Sequence, residues 1–208
     1  MCLRVDDWAN FAVAEDRRAT VAHLTGDMHK AIILYDESMA IWKKLGDRSN
    51  CAWSLLNQGC WLLDRGDLHH ARQFLRESME IRWEDGHVPG LIRVLEAFAE
   101  LAHAEGQPAR SVLLAGAASA LREAAGLPRM PGSRAPIASW LPPTRRTLGE
   151  EAFARAWQAG RALSHNDAFD IAREGGASAE LPAALGAGSW SGPSLELDAL
   201  GVPVAASA

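Results

Sequence analysis

Apolar residues along the first 125 positions recur at spacings of three and four and are broken at even intervals by glycine. Between Cys51 and Trp83, Leu55, Leu56, Leu62 and Leu63 precede Gly66, and Ala71, Phe74, Leu75, Met79 and Ile81 follow it. That spacing lays an apolar stripe along one side of a helix on each side of the glycine. Gly suits the left-handed conformation that closes a helix, and an Asp directly after it is placed to cap the next one. The pattern therefore predicts helix hairpins, with helices over about 8–24 and 28–44, 50–64 and 68–85, and 88–104 and 108–125.

The hairpins repeat. Gly26, Gly66 and Gly106 are 40 residues apart, and Gly46, Gly86 and Gly126 form a second series with the same spacing. Superposing 11–48 on 51–88 pairs Ala12 with Ala52, His29 with His69, Ala31 with Ala71, Glu37 with Glu77, Ser38 with Ser78, Met39 with Met79 and Ile41 with Ile81. Small residues recur where two helices must approach: Ala19, Gly59 and Ala99 midway along each first helix, Ala31, Ala71 and Ser111 early in each second one, and Ser38, Ser78 and Ala118 later in it. Side chains of that size permit close packing that Leu or Phe would block. The fold class expected is all-α, a right-handed superhelical stack of hairpins.

The segment LLNQGCWLLDRGDLHHARQFLRESMEI, Leu55–Ile81, resembles the tetratricopeptide repeat (TPR) family in its small residue, Gly-Asp turn, Ala and following bulky residue. The period here is 40 residues, against about 34 in the standard repeat. The longer form is similar to the repeats in the C-terminal parts of large bacterial ATP-dependent LuxR-type transcriptional regulators. SVLLAGAASALREAAGLP (Ser111–Pro128) and LGEEAFARAWQAGRALSHNDAFDIA (Leu148–Ala172) resemble the closing part of the same proteins. The resemblance implies a bacterial, cytoplasmic signalling or regulatory module that binds a protein or peptide partner. In such regulators a nucleotide-binding domain precedes the repeats and a helix-turn-helix is often attached. No G-x-x-x-x-G-K-[ST] loop occurs in this chain, so no ATP- or DNA-linked activity is carried over.

The repeats fill 1–127, as about 8–47, 48–87 and 88–127. Residues 128–147, rich in Pro, Gly and Arg, read as a linker, and Pro142-Pro143 interrupts any continuous helix there. Two short capping helices are expected in 148–174, opened by capping boxes at Thr147/Glu150 and Ser164/Asp167 and docked through Phe153 and Trp157. The Gly-, Ala-, Ser- and Pro-rich stretch 175–208 reads as a disordered tail. By the 40-residue register, residues 1–7 are the end of a second helix whose body is missing, as in a piece of a longer repeat protein. A missing neighbour should leave the outer face of the first pair apolar.

Charge and chemistry narrow the function. The net charge of −5, with basic residues scattered, gives no nucleic-acid surface. Neither a signal peptide nor a membrane-spanning run is visible, so a soluble cytoplasmic protein is expected. Cys2, Cys51 and Cys60 lack metal-type spacing and read as reduced thiols. His69 and His70 are adjacent on a helix and point about 100° apart, a poor arrangement for one metal ion. No cofactor, metal or catalytic residue is expected, and a Cys–His pair through His23 or His103 has no support in the spacing. The eight tryptophans suit packing between helices, with Trp53 on the inner surface. In the TPR family the first helices line a concave face. By register this gives a groove of Asp16, Thr20, His23, Trp53, Leu56, Cys60, Asp64, Arg93, Glu96, Glu100 and His103, acidic on balance and suited to a basic or amphipathic peptide. The alternative is a small-molecule effector site made by closing the 148–173 helices over that groove.

Overall fold

The computed structural model describes residues 5–128 and 137–174, and everything described in it is α-helix, turn or connection. Six helices follow the glycine rhythm: α1 (Val5–Leu24), α2 (Met28–Leu45), α3 (Arg48–Asp64), α4 (Leu68–Glu84), α5 (Val88–Ala104) and α6 (Pro108–Ala124). Three more complete the described chain: α7 (Ile137–Leu148), α8 (Glu150–Ala162) and α9 (His165–Glu174). The glycines of both series have φ between 62° and 83°, which explains why no side-chain-bearing residue replaces them. Asp27, Asp47 and Asp67 cap α2, α3 and α4, each carboxylate accepting the backbone N–H three residues on. No described helix is long and apolar enough to cross a membrane.

The chain divides into two compact units at His87/Val88. Unit 1 holds two stacked hairpins. Ala19, Ala22, Ala31, Leu34 and Tyr35 close the first. Ala12, Met39, Trp42, Cys51 and Leu55 join it to the second, with Phe74 and Ile81 packed on their edge. The small positions do more than permit approach: the buried Ser78 hydroxyl donates to the Ala52 carbonyl at 2.7 Å, tying α4 to α3. Phe11 is 44% exposed and makes an edge-on contact with the half-exposed Trp8, whereas Cys51, 40 positions on, is 8% exposed beneath the first pair.

Unit 2 departs from a simple third repeat. Helix α6 is buried without interruption from Arg110 to Ser119, because α5, α7, α8 and α9 all pack against it. At its crossing with α8 the backbones touch through Gly116 and Gly160. A β-carbon built on Gly116 would lie 2.5 Å from the Trp157 carbonyl oxygen, and one on Gly160 would lie 1.9 Å from that of Leu113. The Arg110 guanidinium donates to the Ile171 carbonyl in the last turn of α9, and Arg161 of α8 grips Glu123 with two bonds of 2.7 and 2.8 Å.

Three expectations about this half are corrected. The third hairpin belongs with the C-terminal helices, not with the first two. The stretch 128–147 is not all linker, since α7 covers its second half with Pro142 and Pro143 inside it. Losing two N–H donors in the second turn is costly, but Ile137, Trp140, Leu141 and Thr144 are buried on one side of α7. Their burial offsets the defect at about 1.5–3 kcal/mol for each large apolar side chain. Thr147 caps nothing: it lies in α7 with its hydroxyl on the Pro143 carbonyl at 3.1 Å, and Gly149 occupies the N-cap of α8. Ser164 does cap α9, accepting the Asp167 N–H at 3.2 Å and donating to the Asp167 carboxylate. The stretch 175–208, expected to be disordered, lies outside the described residues.

Candidate functional site

The proposed groove residues fall into two sets, one in each unit. In unit 1, Asp16 borders the α1/α3 cleft but commits its carboxylate to the interior. It is buried on α1, where Oδ1 accepts from Ser38 Oγ of α2 (2.5 Å) and Ser54 Oγ of α3 (3.2 Å), and Oδ2 accepts from Trp42 Nε1 (3.1 Å). Three neutral donors from two other helices satisfy the carboxylate, so it clamps the hairpins together. Leu56 is fully buried core. Cys60 is half-buried. His23 packs edge-on against Trp61 and reaches Asp64 with Nε2 at 3.3 Å, so the exposed Asp64 is turned toward a neighbouring ring.

Thr20 and Trp53 do line an opening. A cleft of about 560 Å3 lies between α1 and α3, bounded by Val13, Asp16, Arg17, Thr20 and Val21 on one side and Asn50, Trp53 and Asn57 on the other. Trp53 is 40% exposed there. Asn50, Trp53 and Asn57 are three and four apart and so share one face of α3. Val13, Arg17, Thr20 and Val21 do the same on α1. Of the residues expected in unit 1, Asp16, Thr20 and Trp53 border this cleft, and His23, Leu56, Cys60 and Asp64 do not. The other lining residues, Val13, Arg17, Val21, Asn50 and Asn57, were not among those expected. The polar–aromatic–polar spacing of Asn50, Trp53 and Asn57 was the available signal.

A second depression of about 290 Å3 adjoins the first, lined by Arg17, Arg18, Val21, Ala22, Thr25, Asp27 and Lys30. Arg17 and Val21 belong to both. Arg18 donates to the buried Glu15 carboxylate at 2.6 and 2.9 Å. Asp27 uses its carboxylate on the Lys30 N–H at 3.3 Å.

In unit 2 the expected groove residues sit on α5 and are half-buried. Glu96 is held by Arg122 of α6 at 2.7 Å. His103 is covered by α7: its ring stacks on Trp140 at 5.2 Å between centroids, and Nδ1 lies 3.1 Å from Thr144 Oγ1. That hydroxyl gives its proton to the Trp140 carbonyl (2.7 Å), so it accepts from His103 and fixes the Nδ1–H tautomer. Arg93 and Glu100 remain half-buried on the same helix. Within unit 2, α8 packs on α6, and both α7 and α9 pack on α5.

Burial lowers the His103 pKa below its ordinary value of 6.5. The folded state then holds fewer protons than the unfolded chain, and stability is lost as pH falls below about 6.5 toward the folded value. The stability of the wild type is expected to drop more steeply between pH 7 and 5 than that of His103→Gln. Denaturant titrations of both proteins across that range check the difference.

Burial also pushes the Cys51 thiol pKa up, the opposite of what a nucleophile needs. His23 contacts Asp64 and Trp61, and His103 contacts Thr144 and Trp140.

Paired helices with left-handed glycine turns, small residues at the crossings and an open face between first helices define an all-α, TPR-like interaction fold. Residues 10–84 match the Tetratricopeptide repeat family. That match covers α1 to α4, nearly the whole of unit 1, and repeats of this kind generally mediate protein–protein contacts. Comparison with curated proteins and with solved structures gives no match.

Proposed function

We propose that the protein is a non-catalytic interaction module that holds a peptide segment of a partner in the α1/α3 cleft of unit 1. The observation that carries this reading is the half-exposed Trp53 between two asparagines, facing Thr20 and Arg17 across a cleft built on rigid helices. A large aromatic on such a platform supplies contact area at low entropic cost, and the amides supply hydrogen bonds to a main chain. The charge balance expected from sequence shifts, because Asp16 is satisfied in the core and Asp64 is turned to His23. A basic partner thereby loses its electrostatic rationale. The resemblance of 111–128 and 148–172 to the ends of LuxR-type regulators supports a role in a bacterial signalling pathway, with ATP- and DNA-handling parts on other segments or other chains. The small-molecule effector reading is the weaker one, since the cleft is an open trough and not an enclosed cavity.

Trp53→Ala tests the proposal. Its affinity for a bound peptide, measured by fluorescence anisotropy, is expected to fall at least about tenfold, the scale of an aromatic anchor. Unchanged affinity would move the site away from the cleft.

A further inference from the structure

We infer that the occupant of the cleft is an acidic segment: an extended peptide with an apolar residue seated on Trp53 and Val13, and side-chain carboxylates two to five residues away, over Arg17 and Lys30. This rests on the reading of the cleft as a peptide site and adds the chemistry of the peptide.

The chain as a whole carries a net charge of −5, so its overall field repels anions. The two adjoining depressions of unit 1 run against that trend. Their lining holds three cations, Arg17, Arg18 and Lys30, and two carboxylates, Asp16 and Asp27. Both carboxylates are engaged, Asp16 by Ser38, Ser54 and Trp42 and Asp27 by the α2 N-terminus. Of the cations, only Arg18 has an acidic partner among the described residues, the buried Glu15. Arg17 and Lys30 are exposed and carry no such pairing. Arg17 borders both depressions and marks where a segment leaving the Trp53 side would cross to the Lys30 side.

The remaining groups fit a main chain. Asn57 has no hydrogen-bond partner among the described residues, and its carboxamide can pair with one peptide N–H and one C=O. Asn50 commits its Nδ2 to Asp47 at 2.8 Å, which leaves Oδ1 as an acceptor. Val21, 59% exposed, forms an apolar step shared by the two depressions. Cations spread over two depressions favour several side-chain carboxylates over a single chain terminus. Because these cations are exposed, they act through steering and charge-assisted hydrogen bonds, and their effect is screened by salt.

The test uses the full chain and a positional-scanning library of fluorescein-labelled octapeptides, prepared with amidated and with free C-termini. The expected result is selection of an apolar or aromatic residue with Asp or Glu two to five positions away, irrespective of the C-terminal group. Affinity for the selected peptide should fall at least about fivefold between 50 and 300 mM NaCl. Arg17→Glu combined with Lys30→Glu should lose at least about tenfold while keeping the wild-type circular dichroism spectrum, since both positions are exposed. Selection of neutral or basic peptides whose binding still needs Trp53 would overturn the acidic assignment and leave the cleft as the site. A requirement for the free C-terminus would also overturn it. No binding that depends on Trp53 would overturn both readings.

Discussion

Gly160→Ala is expected to destabilise the protein by about 3 kcal/mol or more, although alanine is intrinsically the better helix former. The added methyl would meet the Leu113 carbonyl oxygen at 1.9 Å, its carbon at 2.8 Å and its Cα at 3.0 Å, all backbone atoms of a helix that is itself buried. Neither helix can yield without moving the other contacts of α6. Overpacking of a tight core costs about 1–3 kcal/mol and more where backbone must move, while the propensity gain of Ala over Gly is about 1 kcal/mol. Sterics win. The companion Gly59→Ala provides the contrast, because its nearest neighbours are the Leu75 side-chain carbons at 2.8 and 2.9 Å, which can shift by rotation. Equilibrium unfolding in urea should rank Gly160→Ala well below Gly59→Ala. Equal midpoints would show that α6 and α8 do not touch through backbone.

The second large effect is expected at Asp16. Asp16→Ala removes the acceptor shared by Ser38, Ser54 and Trp42 and leaves three buried donors without it, together with a void. Each unsatisfied buried donor costs about 1–3 kcal/mol, partly relieved by rotation of the two hydroxyls. A loss of about 3–5 kcal/mol follows, concentrated in unit 1. Asp16→Asn keeps the shape and one acceptor oxygen, so it should lose only about 1–2 kcal/mol. Thermal melts followed through tryptophan fluorescence check both. An Asp16→Ala protein as stable as wild type would mean that the carboxylate is solvated and faces the cleft after all.

These two sites show where sequence was informative and where it was not. The hairpins of unit 1 were legible to within a few residues because each glycine, cap and small residue repeats after 40 positions, so local signals reinforce one another. Unit 2 follows the same rhythm only as far as α6. There the uncharged run Ser111–Ser119 is the sequence signal of a helix buried on every side. Helix α7 was hidden by Pro142-Pro143, although Ile137, Trp140, Leu141 and Thr144 have helical spacing; tertiary burial overrode local propensity.

The candidate site was half legible for a related reason. Periodicity supplied Asp16, Thr20 and Trp53, which border the cleft, but not Val13, Arg17, Val21, Asn50 and Asn57 beside them. The consequence is chemical as well as geometric, since Arg17 adds a cation to a lining whose Asp16 carboxylate is held by buried donors. Two facts that sequence could not supply decide the matter: the Asp16 carboxylate is consumed by buried donors, and Asp64 reaches His23.

The central claim, that the α1/α3 cleft holds the partner segment, is tested most directly by nuclear magnetic resonance of the 15N-labelled full chain titrated with the tightest octapeptide from the library. The account predicts the largest shifts at the Trp53 indole N–H, the Asn57 carboxamide and the Arg17 and Thr20 amides, with α7 to α9 unaffected. Shifts confined to Trp8 and Phe11, or to helices of unit 2, with the Trp53 indole unmoved, would contradict it.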